Sequence, residues 1–251
     1  MTNQNFFKLL IGSILCGFMI QSKAQTSISL RSQWLDPTNL FTEDTPTMEF
    51  TSDVGIGGPF NLHFYYAHDI DNLIPIYLIG GINYNLLSKS MDSLVVNNIT
   101  QEIPKVSTDL MLTYQYFHTL NQLSAIQPVF TINRNFVKKS SASVHTLMAE
   151  LSPWISLNRK EWYQDGFYLT AKYNYTKYIK KWGFDTNFSA ITVKVVEKDW
   201  DAFVIGGVLG ISATYLPFKT SLDIVLNKPI ITDEENDFDF TIGIIKEFWF
   251  F

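Results

Sequence analysis

The sequence ends in the stretch Asp237–Phe251, DFDFTIGIIKEFWFF, in which apolar and polar residues alternate. The apolar residues share one face, which Lys246 interrupts and which carries Phe238, Phe240, Ile242, Ile244, Phe248 and Phe250. The opposite face carries Asp237, Asp239, Thr241, Gly243 and Glu247. A period of two residues is the repeat of a β-strand, because successive side chains point to opposite faces. The stretch therefore predicts a final β-strand with one apolar, largely aromatic face.

The same alternation recurs along the chain before this strand. No window after residue 25 holds the roughly 18 consecutive apolar residues that a transmembrane helix needs. The alternating segments are Thr26–Trp34, Thr47–Ile56, Phe60–His68, Ile74–Leu87, Val106–His118, Ala125–Phe136, His145–Leu157, Gly166–Tyr178, Asn187–Val196, Ala202–Tyr215 and Lys219–Lys228. With the final stretch they make about twelve strands, each long enough to cross a bilayer when tilted. The pattern predicts an all-β chain that forms a closed antiparallel transmembrane β-barrel over residues 25–251.

The number of strands decides where the longest polar interruption, Ser88–Lys105, lies. An even number brings both chain ends to one side of the barrel, and a count of about twelve puts this loop on that same side. Turns on that side are usually short, so about ten strands is the alternative. It would remove Thr47–Ile56 and one later segment as crossings, and it would move the loop to the other side.

The first 24 residues have the pattern of a secretory signal peptide. Lys8 precedes an apolar run, Leu9–Ile20, and Ser22 and Ala24 place small residues before Gln25. The apolar run is too short to span a bilayer as a helix, which argues against a membrane anchor. We therefore predict a signal peptide over residues 1–24 and a mature chain over residues 25–251.

Cysteine usage and charge exclude two classes of function. Cleavage after Ala24 removes Cys16, the one cysteine of the chain, and with it any disulfide or thiolate chemistry. Lipidation of Cys16 is the weaker alternative, because Leu15 places a bulky side chain where a small one is required. Cleavage also removes Lys8 and Lys23, which leaves 17 of the 19 basic residues against 24 acidic ones. Such an acidic chain is unsuited to nucleic acid, which needs a basic surface.

The six tryptophans lie near the predicted strand ends. They are Trp34 and Trp249 at strand ends, Trp154 close to one, and Trp162, Trp182 and Trp200 in or beside turns. Indole rings prefer the headgroup level of a membrane, so this distribution predicts aromatic girdles at the rims of the barrel. In a soluble β-sandwich, the competing fold, tryptophan more often lies mid-strand in the core.

Alternation also predicts which side chains face lipid and which face the interior. Residues expected to contact lipid are Leu110, Leu112, Phe130, Ile132, Leu169 and Ile211, whereas Thr113 and Asn133 are expected to face inward. Inward residues that are candidates to line a pore are Asn61, Asn83, Asn85, Gln115, Thr131, Glu150, Lys172, Asn174, Lys194, Asp223 and Asp239. Mixed charges and many amides suit small polar solutes, and they suit equally a lumen closed by internal salt bridges.

Three short constellations resemble chemical sites, and each has a plainer interpretation. The stretch HDIDN at residues 68–72 fits no metal-loop template and is better interpreted as a solvated loop tip. Ser141, Ser143 and His145 are adjacent in sequence, but a hydrolytic triad is defined by geometry. The acidic run Asp233–Asp239 is best interpreted as a solvated loop, with a divalent cation or a basic partner as the alternative. We predict no catalytic residue, no metal site and no cofactor.

The signal peptide, the alternating strands and the aromatic final strand together resemble the outer-membrane β-barrel proteins of Gram-negative bacteria. The resemblance covers Gln25–Phe251, is porin-like and identifies no subfamily. In that family the final Phe usually shares the apolar face, whereas here this face ends at Phe250, so we expect a bulge near Lys246 or Glu247. The resemblance implies a location in the outer membrane, contact with its lipid and folding by the barrel-assembly machinery.

The favoured function is a small porin-like channel for small polar solutes. Roughly eight strands leave an interior filled by side chains and roughly sixteen leave a water channel, so a barrel of intermediate size permits either a narrow pore or a packed lumen. The alternative is a non-conducting structural barrel that binds a protein partner through its outer loops. An outer-membrane hydrolase is the least favoured function.

Overall fold

The computed structural model describes residues 24–35, 42–88, 90–118, 123–158, 165–196, 203–230 and 239–250. Its strands are β1 (Ala24–Arg31), β2 (Trp34–Leu35), β3 (Thr42–Glu43), β4 (Thr47–Gly57), β5 (Phe60–Asp69), β6 (Ile74–Leu87), β7 (Met91–Val96), β8 (Ile99–Pro104), β9 (Val106–Phe117), β10 (Leu123–Lys138), β11 (Ser143–Ser156), β12 (Asp165–Ile179), β13 (Trp182–Val196), β14 (Phe203–Tyr215), β15 (Thr220–Pro229) and β16 (Asp239–Phe250). A short 3-10 helix, Lys139–Ser141, joins β10 to β11. In the described part of the chain we find no helix with the length and hydropathy of a membrane span. The predicted signal peptide lies outside the described residues except for Ala24, with which β1 begins.

Twelve of these strands close into one antiparallel barrel, in the order β1–β16–β15–β14–β13–β12–β11–β10–β9–β6–β5–β4. β1 closes the ring because it pairs with β16 on one side and with β4 on the other. Closure leaves no edge strand with unpaired backbone groups, which is the condition for a sheet in lipid. The predicted twelve-stranded β-barrel is confirmed. The ten-stranded alternative is wrong, because Thr47–Gly57 forms a full strand of the wall.

The barrel has two distinct ends, which we call the terminal end and the loop end. The antiparallel order places Ala24, Phe250 and the β4–β5 turn at the terminal end. The β1–β4 and β5–β6 connections lie at the opposite, loop end. Twelve strands therefore place residues 88–105 at the terminal end, as predicted.

Residues 88–105 were predicted as a loop, and they contain a β-hairpin formed by β7 and β8. Its turn residues Asn97 and Asn98 have φ angles of 52° and 64°. Two consecutive residues with positive φ suit a type I′ hairpin turn, and asparagine tolerates that conformation. The two strands beside this turn are only six residues long, and each contains consecutive polar residues, which explains why alternation did not identify them.

The outer face of the barrel is apolar. Side chains predicted to face lipid are 43–57% exposed, and they are Leu110, Leu112, Phe130, Ile132, Leu169 and Ile211. Side chains predicted to face inward are buried or half-buried, among them Thr113, Gln115, Asn133, Lys172 and Asn174. The predicted facing is confirmed for the residues named here. An exposed apolar surface of this extent marks contact with a membrane or with protein.

The final strand, β16, pairs without interruption. Its register with β15 and with β1 shows no shift between Asp239 and Phe250. The bulge expected near Lys246 or Glu247 is therefore wrong. The predicted alternation of the strand is confirmed, because its outer face exposes Phe240, Ile242, Ile244 and Phe248.

The tryptophans lie only in part where a girdle requires them. Trp182 is 44% exposed on the outer face at the terminal end. Trp34 and Trp154 are 4% and 5% exposed and lie inside the barrel, so the girdle prediction is wrong for both. The cause for Trp34 is that β1 ends at Arg31, after which the chain turns inward. Outside the described residues lie Trp162, Trp200 and the side chain of Trp249.

Candidate functional site

The barrel interior is the candidate functional site, because most of the predicted polar residues face it. By strand register the inner face carries Asn61, Asn83, Asn85, Gln115, Thr131, Glu150, Lys172, Asn174, Asp223 and Asp239. The fold thus brings them to one lumen, although they are spread around its wall rather than gathered in one cluster. Their role in lining a pore stays a prediction.

Lys194 lies on the outer face, so its predicted inward orientation is wrong. Its neighbours on β13, Ile191 and Val193, are 3% and 5% exposed and pack inside the barrel. Alternation then puts Lys194 on the outer face with Phe184 and Phe188, which are 42% and 56% exposed. The predicted strand began at residue 187 and omitted Phe184, which would have indicated the correct facing.

A charged network spans the closure of the barrel, and we call its members Arg31, Glu49 and Asp223 the polar seam. The Arg31 guanidinium donates from Nε to Glu49 Oε2 at 3.1 Å and from Nη1 to Asp223 Oδ2 at 2.5 Å. Ser29 Oγ donates to the same Glu49 oxygen at 3.1 Å. The three charged side chains are 8–14% exposed. Because both ion pairs are largely out of water, each charge depends on its partners.

Gly243 allows the polar seam to cross a strand. Arg31 lies on β1 and Asp223 on β15, and the strand between them presents Gly243 opposite both. A Cβ atom on Gly243 would stand 3.1 Å from Arg31 Cγ and would overlap Asp223 Oδ1. The missing side chain therefore leaves the space through which the guanidinium reaches its second carboxylate.

Arg31 and Glu49 were not predicted as site residues, although Asp223 was. The signal for Arg31 is its position in β1, where it alternates with Ile28 and Leu30. Its partners are 18 and 192 residues away in sequence. Alternation gives the facing of a side chain but carries no information about pairing over such distances.

The lumen holds a chamber of about 300 Å³ beside the polar seam. Its wall combines charged, amide, hydroxyl and aromatic side chains, from Arg31, Leu35, Glu49, His63, Tyr65, Ile79, Met111, Thr113, Gln115, Gln127, Val129, Glu150, Ser152 and Tyr168. This volume is at the lower end of the range for small-molecule sites. The chamber can therefore surround a small solute with hydrogen-bonding groups on several sides.

Polar side chains around the chamber are partly paired with one another. His63 Nδ1 lies 2.8 Å from Asp53 Oδ1, and Gln127 Nε2 donates to Ser152 Oγ at 2.5 Å. Oε1 of Glu49, in contrast, is buried and has no hydrogen-bond partner among the described residues. A buried carboxylate oxygen without a donor is costly, so this position of the wall favours a ligand that donates a hydrogen bond.

Across the lumen from the polar seam the inner face is apolar. We call this surface the apolar wall, and its members are Ala125, Trp154, Ile191, Val193 and Val208. Each of them is 5% exposed or less, and Tyr168 and Val225 pack against them. Side chains packed in this way fill their part of the lumen as a protein core does.

Aromatic side chains fill part of the lumen at the loop end. Trp34 packs edge-on against Tyr77, with 6.1 Å between ring centroids. Tyr77 in turn contacts Phe117 at 4.2 Å and Tyr65 at 5.9 Å. The next residue after Trp34, Leu35, is 6% exposed and reaches the wall of the chamber. The segment after β1 thus folds into the barrel.

The β7–β8 hairpin covers part of the barrel mouth at the terminal end. Leu94 and Val96 are 2% and 6% exposed and form an apolar cluster with Val144 of β11. Packed against this cluster are Ile103, Val137, Ala142, Tyr178 and Leu216. Asn135 on the inner face of β10 donates from Nδ2 to the Pro104 carbonyl at 2.8 Å. The hairpin therefore lies against the inner face of β10, β11 and β12.

The HDIDN stretch forms a turn. Asp69 accepts hydrogen bonds from the backbone N–H groups of Asp71 and Asn72 at 2.8 Å and 3.0 Å. These bonds close the chain after β5, as an Asx-turn does. Among the described residues there is no group of three or more His, Cys, Asp or Glu side chains placed to hold a metal. Most of the acidic run Asp233–Asp239 lies outside the described residues.

The serines near His145 do not engage its imidazole. His145 Nδ1 lies 2.7 Å from the Tyr173 hydroxyl. Ser141 Oγ and Ser143 Oγ lie 2.8 Å from each other. The two serine hydroxyls therefore bond to each other and the imidazole bonds to a tyrosine, whereas a hydrolytic triad needs a serine bonded to the histidine.

Comparison with known proteins assigns no family to this chain. No family model and no curated protein matches it. Among solved structures, a bacterial polysaccharide outer membrane secretin has 9% identity and a TM-score of 0.47, over 91% of this chain and 98% of that one. A loop L8 deletion mutant of OmpT, an outer membrane protein of Vibrio cholerae, has 8% identity and a TM-score of 0.43, over 90% and 98%. The β domain of the Bordetella autotransporter BrkA has 11% identity and a TM-score of 0.43, over 90% and 99%. At such values we conclude nothing about this chain from these proteins.

Proposed function

We propose that this chain is an integral β-barrel of the outer membrane that binds a small polar solute in its lumen and is closed to free diffusion at rest. The observation that carries the proposal is the chamber beside the polar seam, into whose wall Glu49 brings a buried carboxylate oxygen without a partner among the described residues. A solute with an ammonium or hydroxyl donor would satisfy that oxygen.

The apolar outer face supports the membrane location. Large apolar side chains are exposed on the outward positions of β1, β4, β5, β6 and β9 to β16. In water so extensive an apolar surface would drive association, whereas in lipid it needs no cover. Aromatic residues at the terminal end add to this support, because Phe60 packs on Tyr84 and Trp182 on Tyr215 near the ends of their strands.

Three features support a lumen that is closed at rest. The apolar wall fills one side, the aromatic group around Tyr77 fills part of the loop end, and the β7–β8 hairpin covers part of the terminal end. An open porin, in contrast, keeps a polar and water-filled interior. The non-conducting barrel is therefore favoured over the porin-like channel.

The porin-like channel is the second candidate, and the polar inner residues favour it. The lumen on the terminal-end side of the chamber is faced by Lys172 and Asn174 of β12 and by Asn83 and Asn85 of β6. They would offer hydrogen bonds to a passing solute. Passage would require the β7–β8 hairpin to leave the inner face of β10, β11 and β12.

Membrane insertion is tested by refolding the chain into phosphatidylcholine vesicles. We expect the protein to float with the vesicles and to migrate differently on a gel before and after boiling, as closed barrels do. Recovery of the cellular protein in the soluble periplasmic fraction would contradict the proposed location.

The state of the lumen is tested by single-channel recording in planar bilayers. The intact chain should give no sustained conductance steps, and a variant with Met91–Pro104 replaced by an Asn-Gly turn should give more frequent ones. In that variant Lys172→Glu should shift ion selectivity toward cations. Sustained steps from the intact chain would overturn the closed lumen and favour the porin-like channel.

Solute binding is tested by titrating ethanolamine and, as a matched neutral probe, ethylene glycol, with intrinsic fluorescence as the readout. The ring of Trp154 packs against that of Tyr168, which lines the chamber, with 4.6 Å between centroids, so occupancy should change the fluorescence. Glu49→Gln should weaken ethanolamine binding about tenfold, the value of one hydrogen bond to a charged group. If the wild-type chain and Glu49→Gln bind ethanolamine with equal affinity, Glu49 does not hold the solute.

A further inference from the structure

Cations gather on the outside of the barrel at its terminal end. We call this group the basic arc, and its members are Arg134, Lys138, Lys177, Lys180, Lys181 and Lys246. Arg134 and Lys138 occupy outward positions of β10, Lys177 an outward position of β12, and Lys246 an outward position of β16. Lys180 and Lys181 form the exposed turn between β12 and β13. The basic arc therefore extends over about half of the circumference.

No carboxylate neutralises the basic arc within the described residues. From β10 to β16 the acidic residues near this end, Asp185, Asp223 and Glu247, occupy inward positions by register. The outward positions and turns between these cations carry apolar, aromatic or hydroxyl side chains, His145 and two further lysines, Lys139 and Lys219, but no carboxylate among the described residues. The arc is thus a one-signed surface, which attracts anions over several ångströms.

The aromatic side chains beside the cations indicate the level of the membrane surface. The Arg134 guanidinium carbon lies 5.2 Å from the centroid of the Phe136 ring, and Lys246 Nζ lies 5.8 Å from that of Phe248. Lys246 also donates to the Phe218 carbonyl. Long basic side chains that lie over rings at the edge of an apolar surface hold their charge at the headgroup level, while their stems stay in the apolar region.

We infer that the basic arc binds the anionic phosphate headgroups of the lipid leaflet at the terminal end. The inference rests on the membrane location proposed above. The outward positions of these cations continue the apolar face that would contact lipid, so the molecules that reach them in a bilayer are lipids rather than soluble anions. Each basic side chain near an anionic membrane surface contributes about fivefold to the preference for that surface.

The test compares lipids retained by the full chain after extraction from mixed vesicles of phosphatidylcholine and phosphatidylglycerol, measured by native mass spectrometry. We expect phosphatidylglycerol to be enriched over its share of the mixture. The triple variant Lys138→Gln, Lys177→Gln, Lys181→Gln should lose at least about fivefold of this enrichment. The control variant Lys194→Gln, Lys228→Gln, at the outer face of the loop end, should keep it.

The outcomes separate the inference from the proposed location. If the wild-type chain enters no vesicle, both fail. If it inserts but retains the two lipids in proportion to the mixture, or if triple and control variants lose enrichment equally, the inference alone is overturned.

If the triple variant does not fold, the wild-type chain decides: its enrichment should fall with added salt, and salt-independent enrichment would overturn the inference. Loss of enrichment with inorganic phosphate, but not with chloride of equal ionic strength, would assign the arc to free phosphate instead.

Discussion

The polar seam and the apolar wall face each other across one lumen and stabilise it by different physics. In the polar seam one guanidinium links β1, β4 and β15 through two carboxylates. In the apolar wall, tightly packed side chains link β10, β11, β13 and β14. Loss of one member of the polar seam leaves a charge without a counterion, whereas loss of volume in the apolar wall leaves a cavity. The inside of this barrel is therefore a charged network on one side and a protein core on the other.

The largest expected effect comes from removing the cation of the polar seam. Arg31→Met should lower the free energy of unfolding by about 3–5 kcal/mol, because Glu49 and Asp223 would remain buried without a counterion. Urea titration of the barrel in phosphatidylcholine vesicles measures it. Arg134→Met, at an exposed arginine, is the control and should change stability by less than about 1 kcal/mol. Equal losses in the two variants would show that the polar seam does not stabilise closure.

The apolar wall is probed by making a cavity in it. Ile191→Ala should cost about 2–5 kcal/mol, because the wall packs against other side chains and cannot fill the gap. Ile211→Ala, at an outward position that is 50% exposed, should cost less, since lipid chains fill the space. The difference between the two urea midpoints measures the cavity contribution. If Ile211→Ala were the more costly variant, the apolar wall would not be a packed core.

A smaller effect is expected where the polar seam crosses β16. Gly243→Ala adds a Cβ atom that overlaps Asp223 Oδ1 and crowds Arg31, so it should cost about 1–3 kcal/mol. Gly207→Ala is the control, because a Cβ there has no atom within 4 Å. Unfolding in urea again provides the comparison. Equal stability of the two variants would show that the guanidinium reaches Asp223 by another path.

The smallest expected effect is at Lys194. Lys194→Gln on the outer face should change the free energy of unfolding by less than about 1 kcal/mol, the value for an outward charge near the membrane surface. The matched inner variant is Lys172→Gln, which removes a lysine that is attracted to Glu150 and Asp185 and should be the more destabilising of the two. A larger loss at Lys194 would reverse the assigned facing of β13.

Alternation predicted the outer face well because lipid imposes one requirement on every outward position. Leu110, Leu169 and Ile211 follow that requirement, and so do the exposed apolar residues of the final strand, which Lys246 alone interrupts between Phe240 and Phe248. The inner face obeys no single requirement, since Trp154 and Ile191 are as apolar as any outward residue. Where both faces of a strand are apolar, as in β13, a period of two residues does not indicate which face is outside.

The candidate site was less predictable than the fold. Asp223 and Glu150 were found from their facing, but the chamber depends on Arg31, which has partners on two other strands. The inward turn of Trp34 depends on a segment beyond the end of β1 rather than on a strand pattern. Both features arise from tertiary packing between distant parts of the chain, which local periodicity does not encode.

The sequence separation within the polar seam also has a consequence in time. Arg31 meets Glu49 across 18 residues, and it meets Asp223 only across 192. The first pair can form while the early strands assemble, but the second has to wait until nearly the whole chain is paired, because long loops close slowly. The ion pair between Arg31 and Asp223 therefore forms late in the assembly of the barrel. A barrel that stalls before β15 joins would keep Arg31 paired with Glu49 alone, so the missing pair with Asp223 distinguishes unfinished molecules from complete ones.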